Sequence, residues 1–262
     1  MTEAQDQDLI QVHYKDSVAV VTLNSPKRMN AFSMAMRTEL YARLLDIEAN
    51  EACRAIVLTG AGGNFCSGGY ISEMKRRDLI HGRMRMDLPT RIFKLLVNGP
   101  KAFFTAVEGN AAGCGVSFVA ASDFSVAAAD ARFSCAFMRV GLVPDVGGLW
   151  AIPRKVGHRK AMEMMMFAET YTAQQALEMQ LINRVCEPGK ALEVTLELAQ
   201  RVAKKPPIAM ALLRSALNIG ADSVDQAIAT EINFQSLLQS TEDFGEAAAA
   251  FMEKRSPIFK GR

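Results

Sequence analysis

AFFTAVEGNAAGCGVSFVAASDFSVAAADARFSCAFMRVGLVPDVGG, residues 102–148, passes from a strand-like run through a glycine-rich turn to a lone carboxylate. Ala102–Val107 is short, continuous and apolar, the pattern of a strand covered on both faces. Gly109-Asn110-Ala111-Ala112-Gly113-Cys114-Gly115 follows, and a small apolar helix is expected from Val116 to Ala121. A glycine turn between strand and helix exposes backbone N–H groups at the positive end of the helix dipole. Such a turn can hold a developing negative charge. At the far end, Leu142-Val143-Pro144-Asp145-Val146-Gly147-Gly148 sets one carboxylate among apolar neighbours. An anion hole and an isolated carboxylate are the parts needed to abstract a proton next to a carbonyl.

Outward from this centre, the N-terminal side alternates strands with helices. Residues 1–9 are polar and expected to fray. Val18–Leu23 and Ala55–Thr59 read as buried strands. Met36, Leu40, Leu44 and Ile47 form one apolar face of a helix starting near Ser33. Residues 72–90 are charged and loosely periodic, which predicts an excursion or lid before a short helix over 91–96.

On the C-terminal side, a helix is expected to begin near Asp145 and run to Val156, interrupted at Pro153. Thr172 and Gln175 have capping-box spacing for a helix over 173–180, and Leu181–Val185 reads as the last strand. Beyond Glu187-Pro188-Gly189 only helical patterns remain: 191–204, 208–218, 224–239 and 242–254, then an extended tail. The order argues an α/β core over residues 1–195 and an all-helical appendage over 196–262. Helices with several apolar faces and no strand to cover favour a homo-oligomer.

With 30 basic and 28 acidic residues the net charge is +2, so composition demands no nucleic-acid partner. Five scattered cysteines and three histidines lack metal-site spacing, and neither a metal nor a separate cofactor is expected. No apolar run reaches transmembrane length, and the unpaired cysteines fit the reducing cytoplasm.

Five segments in order, PKRMNAFS, FCSGGYISEM, VEGNAAGCGVSFVAASD, GLVPDVGG and FMEKRSPIFKGR, resemble the crotonase, or enoyl-CoA hydratase/isomerase, superfamily. The resemblance implies a ββα spiral core, a helical trimerisation region, and a trimer or dimer of trimers. It implies an acyl-CoA thioester as substrate, so that coenzyme A arrives with the substrate. Gly69 and Cys114 fall where the family's two backbone N–H groups hold the thioester oxygen. Ser67, Gly68, Tyr70, Ile71, Gly113, Gly115, Ser117 and Phe137 fall around the acyl group. Lys27 or Arg28, with Phe259 and Lys260 from the tail, fall where the family contacts the nucleotide of coenzyme A. Tyr70 stands where an aspartate is common.

Two further departures bear on the chemistry. The hydratases of this superfamily position water with two glutamates, and this chain has Ser117 and Phe137 in their places. Asp145 instead occupies a position from which some isomerases and a dehalogenase supply their carboxylate. FSCAFMRVGLVPDVGG with the KRSP tail is most similar to the ring-epoxide isomerases of phenylacetate degradation. The resemblance therefore implies an acyl-CoA isomerase with Asp145 as acid and base. The alternatives are an enoyl-CoA hydratase and a non-catalytic CoA- or RNA-binding relative. Read by itself, Asp145 is equally a helix N-cap, Ser117 a packing residue, Cys66 a small buried residue and Asp123 a turn residue.

Overall fold

In the computed structural model, which describes residues 8–262, β1 (Ile10–Lys15) and β2 (Val18–Leu23) form an antiparallel hairpin. The rest of the main sheet is parallel to β2. It adds β3 (Ala55–Gly60), β4 (Ala102–Val107), β6 (Phe124–Ala128) and β9 (Arg184–Cys186), in the order β1-β2-β3-β4-β6-β9. A second sheet collects β5 (Asn110–Ala112), β7 (Arg132–Ser134) and β8 (Thr170–Thr172). The chain thus visits the main sheet, then the small sheet, then a helix, which is the ββα spiral expected. The frayed segment assigned to residues 1–9 lies mostly outside the described residues; Leu9 itself is tied down by its N–H to Glu39 Oε2 at 3.0 Å.

The period-two alternation of the central strands divides the core. Ala19, Val21, Leu23, Ile56, Leu58 and Phe103 face the larger cluster, which contains Met36, Leu40, Leu44 and Ile47 of α1 (Met34–Ala49). Val18, Ala55, Val57, Ala102, Phe104 and Ala106 face the other way, against Ala191 and Ala199 of α7 (Ala191–Ala203). A boundary at 195/196 would therefore cut a helix that covers the sheet. The helices outside that layer are α8 (Pro207–Ile219), α9 (Val224–Gln239) and α10 (Glu242–Met252).

Residues 72–98 are more ordered than their charge suggests. After a single 3₁₀ turn over Ile71–Glu73, α2 runs from Leu79 to Asn98, with Asp78 capping the His81 N–H at 2.9 Å. Pro89 lies inside it; Pro89, Ile92 and Leu96, spaced three and four apart, are all buried on one face. That apolar stripe outweighs the hydrogen bond that proline removes.

Small differences elsewhere have local causes. The helix after the glycine turn, α3 (Cys114–Ala121), starts at Cys114 rather than Val116, because Gly113 takes φ +53° and turns the chain directly into it. Between α3 and α7 lie α4 (Gly148–Val156), α5 (His158–Phe167) and α6 (Ala173–Glu178). Pro153 is accommodated inside α4. The Thr172–Gln175 capping box of α6 is fully formed. Leu181 and Ile182 are buried but precede β9, so their apolarity serves packing rather than strand pairing.

Candidate active site

Two loops at the ends of β3 and β4 form the floor of the site. The FCSGG segment is laced to the β5 segment by Cys66 N–H to Asn110 O at 2.9 Å and Ala112 N–H to Cys66 O at 2.8 Å. On its other side Ser67 N–H reaches Met29 O at 2.9 Å, and Phe32 N–H reaches Gly68 O at 2.7 Å. Gly68 and Gly113 then press against each other. A Cβ on Gly68 would stand 3.1 Å from Ala112 O, and one on Gly113 would stand 3.4 Å from Gly68 Cα; both residues have positive φ. Only glycine suits either place. Among the described residues, neither the Gly69 N–H nor the Cys114 N–H has a hydrogen-bond acceptor, and Cys114 is the first residue of α3.

The Cys114 side chain is buried beside that of Cys66. The neighbouring Cys66 thiol, then burial, pushes the Cys114 thiol well up, so it is neutral and offers only its backbone.

Asp145 sits on a turn under strain. Val146, a β-branched residue, takes φ +48° and Gly147 takes +71°, a conformation that costs about 1–3 kcal/mol where the side chain is branched. The turn is fixed because Asp145 O accepts from Ser117 Oγ at 2.8 Å and from Gly148 N–H at 2.9 Å. There is no room to relax: a Cβ on Gly147 would meet the Phe93 ring at 2.2 Å. The helix expected to begin at Asp145 begins at Gly148 instead, with Gly147 at the cap and no side-chain capping bond. Asp145 is therefore not an N-cap. Its Oδ1 is shut off from solvent with no hydrogen-bond partner. Burial raises its carboxyl above the ordinary 3.8, opposed by the charges of Arg37 and then Arg85.

These features share one cavity of about 590 Å³, on which Gly69, Gly113, Phe137 and Asp145 open together with Ser67, Gly68 and Ile71. Its remaining wall comes from α1 (Arg37), from the segment through α2 (Met74, Lys75, Arg77, Gly82, Arg85, Met86) and from Ala136, Val140 and Leu142. Arg28 stacks over Tyr70 with its guanidinium 4.8 Å from the ring centre, beside Ser67, whose Oγ donates to Arg28 O at 3.3 Å.

Other expected site residues lie elsewhere. Ser117 is fully buried behind the Asp145 turn, and Gly115 is packed so that a Cβ would meet Cys66 O at 2.6 Å; neither lines the cavity. Phe259 and Lys260 follow α10 in the tail, where Lys260 N–H donates to Asp243 Oδ1 at 2.7 Å and Lys260 O accepts from Arg54 at 3.3 Å, away from the cavity of the same chain. The cavity also contains residues not anticipated, Arg37 foremost. The signal for it was present: Arg37, Leu40 and Leu44 share the buried stripe of α1, so a cation interrupts an apolar face.

Residues 13–262 match the family model for enoyl-CoA hydratase/isomerase. The chain is 32% identical to the 1,2-epoxyphenylacetyl-CoA isomerase of Escherichia coli (strain K12), over 97% of this chain and 99% of that one. It is 35% identical to the short-chain-enoyl-CoA hydratase of Clostridium acetobutylicum, over 91% and 92% of the two chains. Among solved structures, an enoyl-CoA hydratase from Polaromonas sp. JS666 superposes with a TM-score of 0.90 at 30% identity, covering 95% of this chain and 99% of that chain. The chain belongs to the enoyl-CoA hydratase/isomerase family, whose members are enzymes acting on acyl-CoA thioesters. Its relatives include both isomerases and hydratases.

Proposed function

We propose that this protein is an acyl-CoA isomerase that moves a double bond, or rearranges a ring epoxide, through a thioester enolate. The observation that carries the reading is the partnerless Asp145 carboxylate on the same cavity as the unused Gly69 N–H, with the unused Cys114 N–H directly following Gly113 of its wall. For a 3-enoyl-CoA, the carboxylate takes a proton from C2 and the electron pair delocalises onto the thioester oxygen. The two N–H groups receive that charge, a single donor of this kind contributing about 3 kcal/mol. The Asp145 carboxylic acid then returns the proton to C4, leaving the double bond between C2 and C3 and the carboxylate restored. Burial suits this cycle, because a raised pKa brings the carboxyl closer to that of the acid it must deprotonate. Lys27, Arg28, Phe259 and Lys260 are proposed to hold the nucleotide of coenzyme A, the tail residues doing so in an oligomer.

A hydratase is the second reading, favoured by the relatives that bear that name. It must orient a water without the two glutamates: Ser117 is engaged with the Asp145 carbonyl and Phe137 has no polar atom. Incubating the protein with 3-hexenoyl-CoA in deuterated water, as wild type and as Asp145→Asn, tests the proposal. The wild type is expected to form 2-hexenoyl-CoA, with turnover lower by about 10²–10⁴-fold in the variant and exchange at C2 lost with it. Exchange that survives the substitution removes Asp145 from the mechanism. Rapid hydration of crotonyl-CoA, with no isomerisation of 3-enoyl or ring-epoxide thioesters, establishes the second reading.

A further inference from the structure

Arg37 is out of place for a wall of an apolar acyl pocket. It is 3% exposed, yet it lines the cavity. Its guanidinium lies over the Phe32 ring at 5.1 Å, with Nε donating to Phe32 O at 3.1 Å. Nη1 has only the Met34 sulfur, a poor acceptor, at 3.8 Å. Among the described residues, Nη2 has no acceptor and no carboxylate comes within ion-pair distance of Arg37. A guanidinium carries five N–H donors, and burying one with most of them unmet is costly.

The acids nearby attract it, but none forms an ion pair with it. Glu73 is engaged by the Met34 N–H at 3.1 and 3.2 Å and by Arg85 at 3.5 Å. Asp145 stands beyond ion-pair reach. Four cationic side chains, Arg37, Lys75, Arg77 and Arg85, line the cavity against the one carboxylate of Asp145. The wall therefore offers an unspent, desolvated cation to whatever fills the space.

We infer that the acyl group this cavity is built for carries a second carboxylate, remote from the thioester, and that Arg37 receives it. The inference rests on the acyl-CoA reading of the site, though not on which reaction the site performs. A carboxylate supplies the planar pair of acceptors that the free guanidinium edge matches. An alkyl chain in the same space would leave the cation unmet.

The test is calorimetric and needs no turnover. Saturated glutaryl-, adipyl- and pimelyl-CoA are titrated into the protein beside pentanoyl-, hexanoyl- and heptanoyl-CoA. At one of the three lengths the dicarboxylic thioester is expected to bind at least tenfold tighter than the alkyl thioester. Arg37→Met is expected to bring that ratio to one or below, and Arg37→Lys to retain part of it. Equal affinities in the wild type at all three lengths, or a preference that survives Arg37→Met, overturns the inference. Failure of every thioester to bind overturns it together with the acyl-CoA reading. A dicarboxylate preference in a protein that isomerises no 3-enoyl-CoA, with or without a second carboxylate, and no ring-epoxide thioester supports it and refutes only the isomerase.

Discussion

Asp145 and Asn30 show opposite ways of placing a polar side chain in the interior. Asn30 is fully buried in a left-handed conformation, φ +55°. Its Oδ1 accepts from Ser25 N–H at 2.8 Å, and its Nδ2 donates to Ala61 O at 2.9 Å and Asn64 O at 2.6 Å. It locks the PKRMNAFS loop to the turn after β3. Asn30→Ala leaves buried groups on three sides unpaired and is expected to destabilise by about 3 kcal/mol, measured by urea unfolding. Asp145 has no such compensation. Because burial raises its folded-state pKa above the ordinary 3.8, ionising it opposes folding. That cost is absent below the ordinary value, grows as pH rises from it to the raised folded value, and is constant above. Asp145→Asn is therefore expected to stabilise the protein, more at pH 8 than at pH 3, while lowering activity. A variant less stable than wild type at pH 8 contradicts the buried, partnerless carboxylate.

At the scale of elements, local signals and burial contribute in different proportions. The capping box of α6 is legible in Thr172 and Gln175 because it depends on side-chain spacing alone. Thr172→Ala is expected to cost about 1 kcal/mol, seen as a fall in Tm of about 2–4 °C. The central strands β2, β3 and β4 were equally legible from their apolar runs. The N-terminal half of α2 was not, since Leu79, Ile80 and Met84 are exposed between charges and show no face. The strands of the small sheet are three residues each, too short to carry a period.

The whole molecule presents a large unpartnered apolar surface. Leu217, Ile219, Val224, Ile232, Phe251 and Met252, spread over α8, α9 and α10, are each at least 60% exposed. Surfaces of that kind mark interfaces, and we propose the homotrimer or dimer of trimers that the family resemblance implies. Sedimentation should give a mass that is a multiple of three chains. Phe251→Asp, combined with Ile232→Asp, should shift it toward the monomer; an unchanged mass places the interface elsewhere.

The sequence by itself determined the α/β architecture, the two glycine turns and the candidate carboxylate, because each depends on residue type and short-range spacing. Glycine is required where backbones touch, and strands covered on both faces read as continuous apolar runs. Tertiary structure alone decided that Asp145 is a partnerless carboxylate rather than a helix cap. It also moved Ser117 behind the turn, Phe259 and Lys260 away from the cavity, and Arg37 onto its wall. Those outcomes depend on which side chains, distant in sequence, exclude water from one another, and spacing along a chain does not encode that.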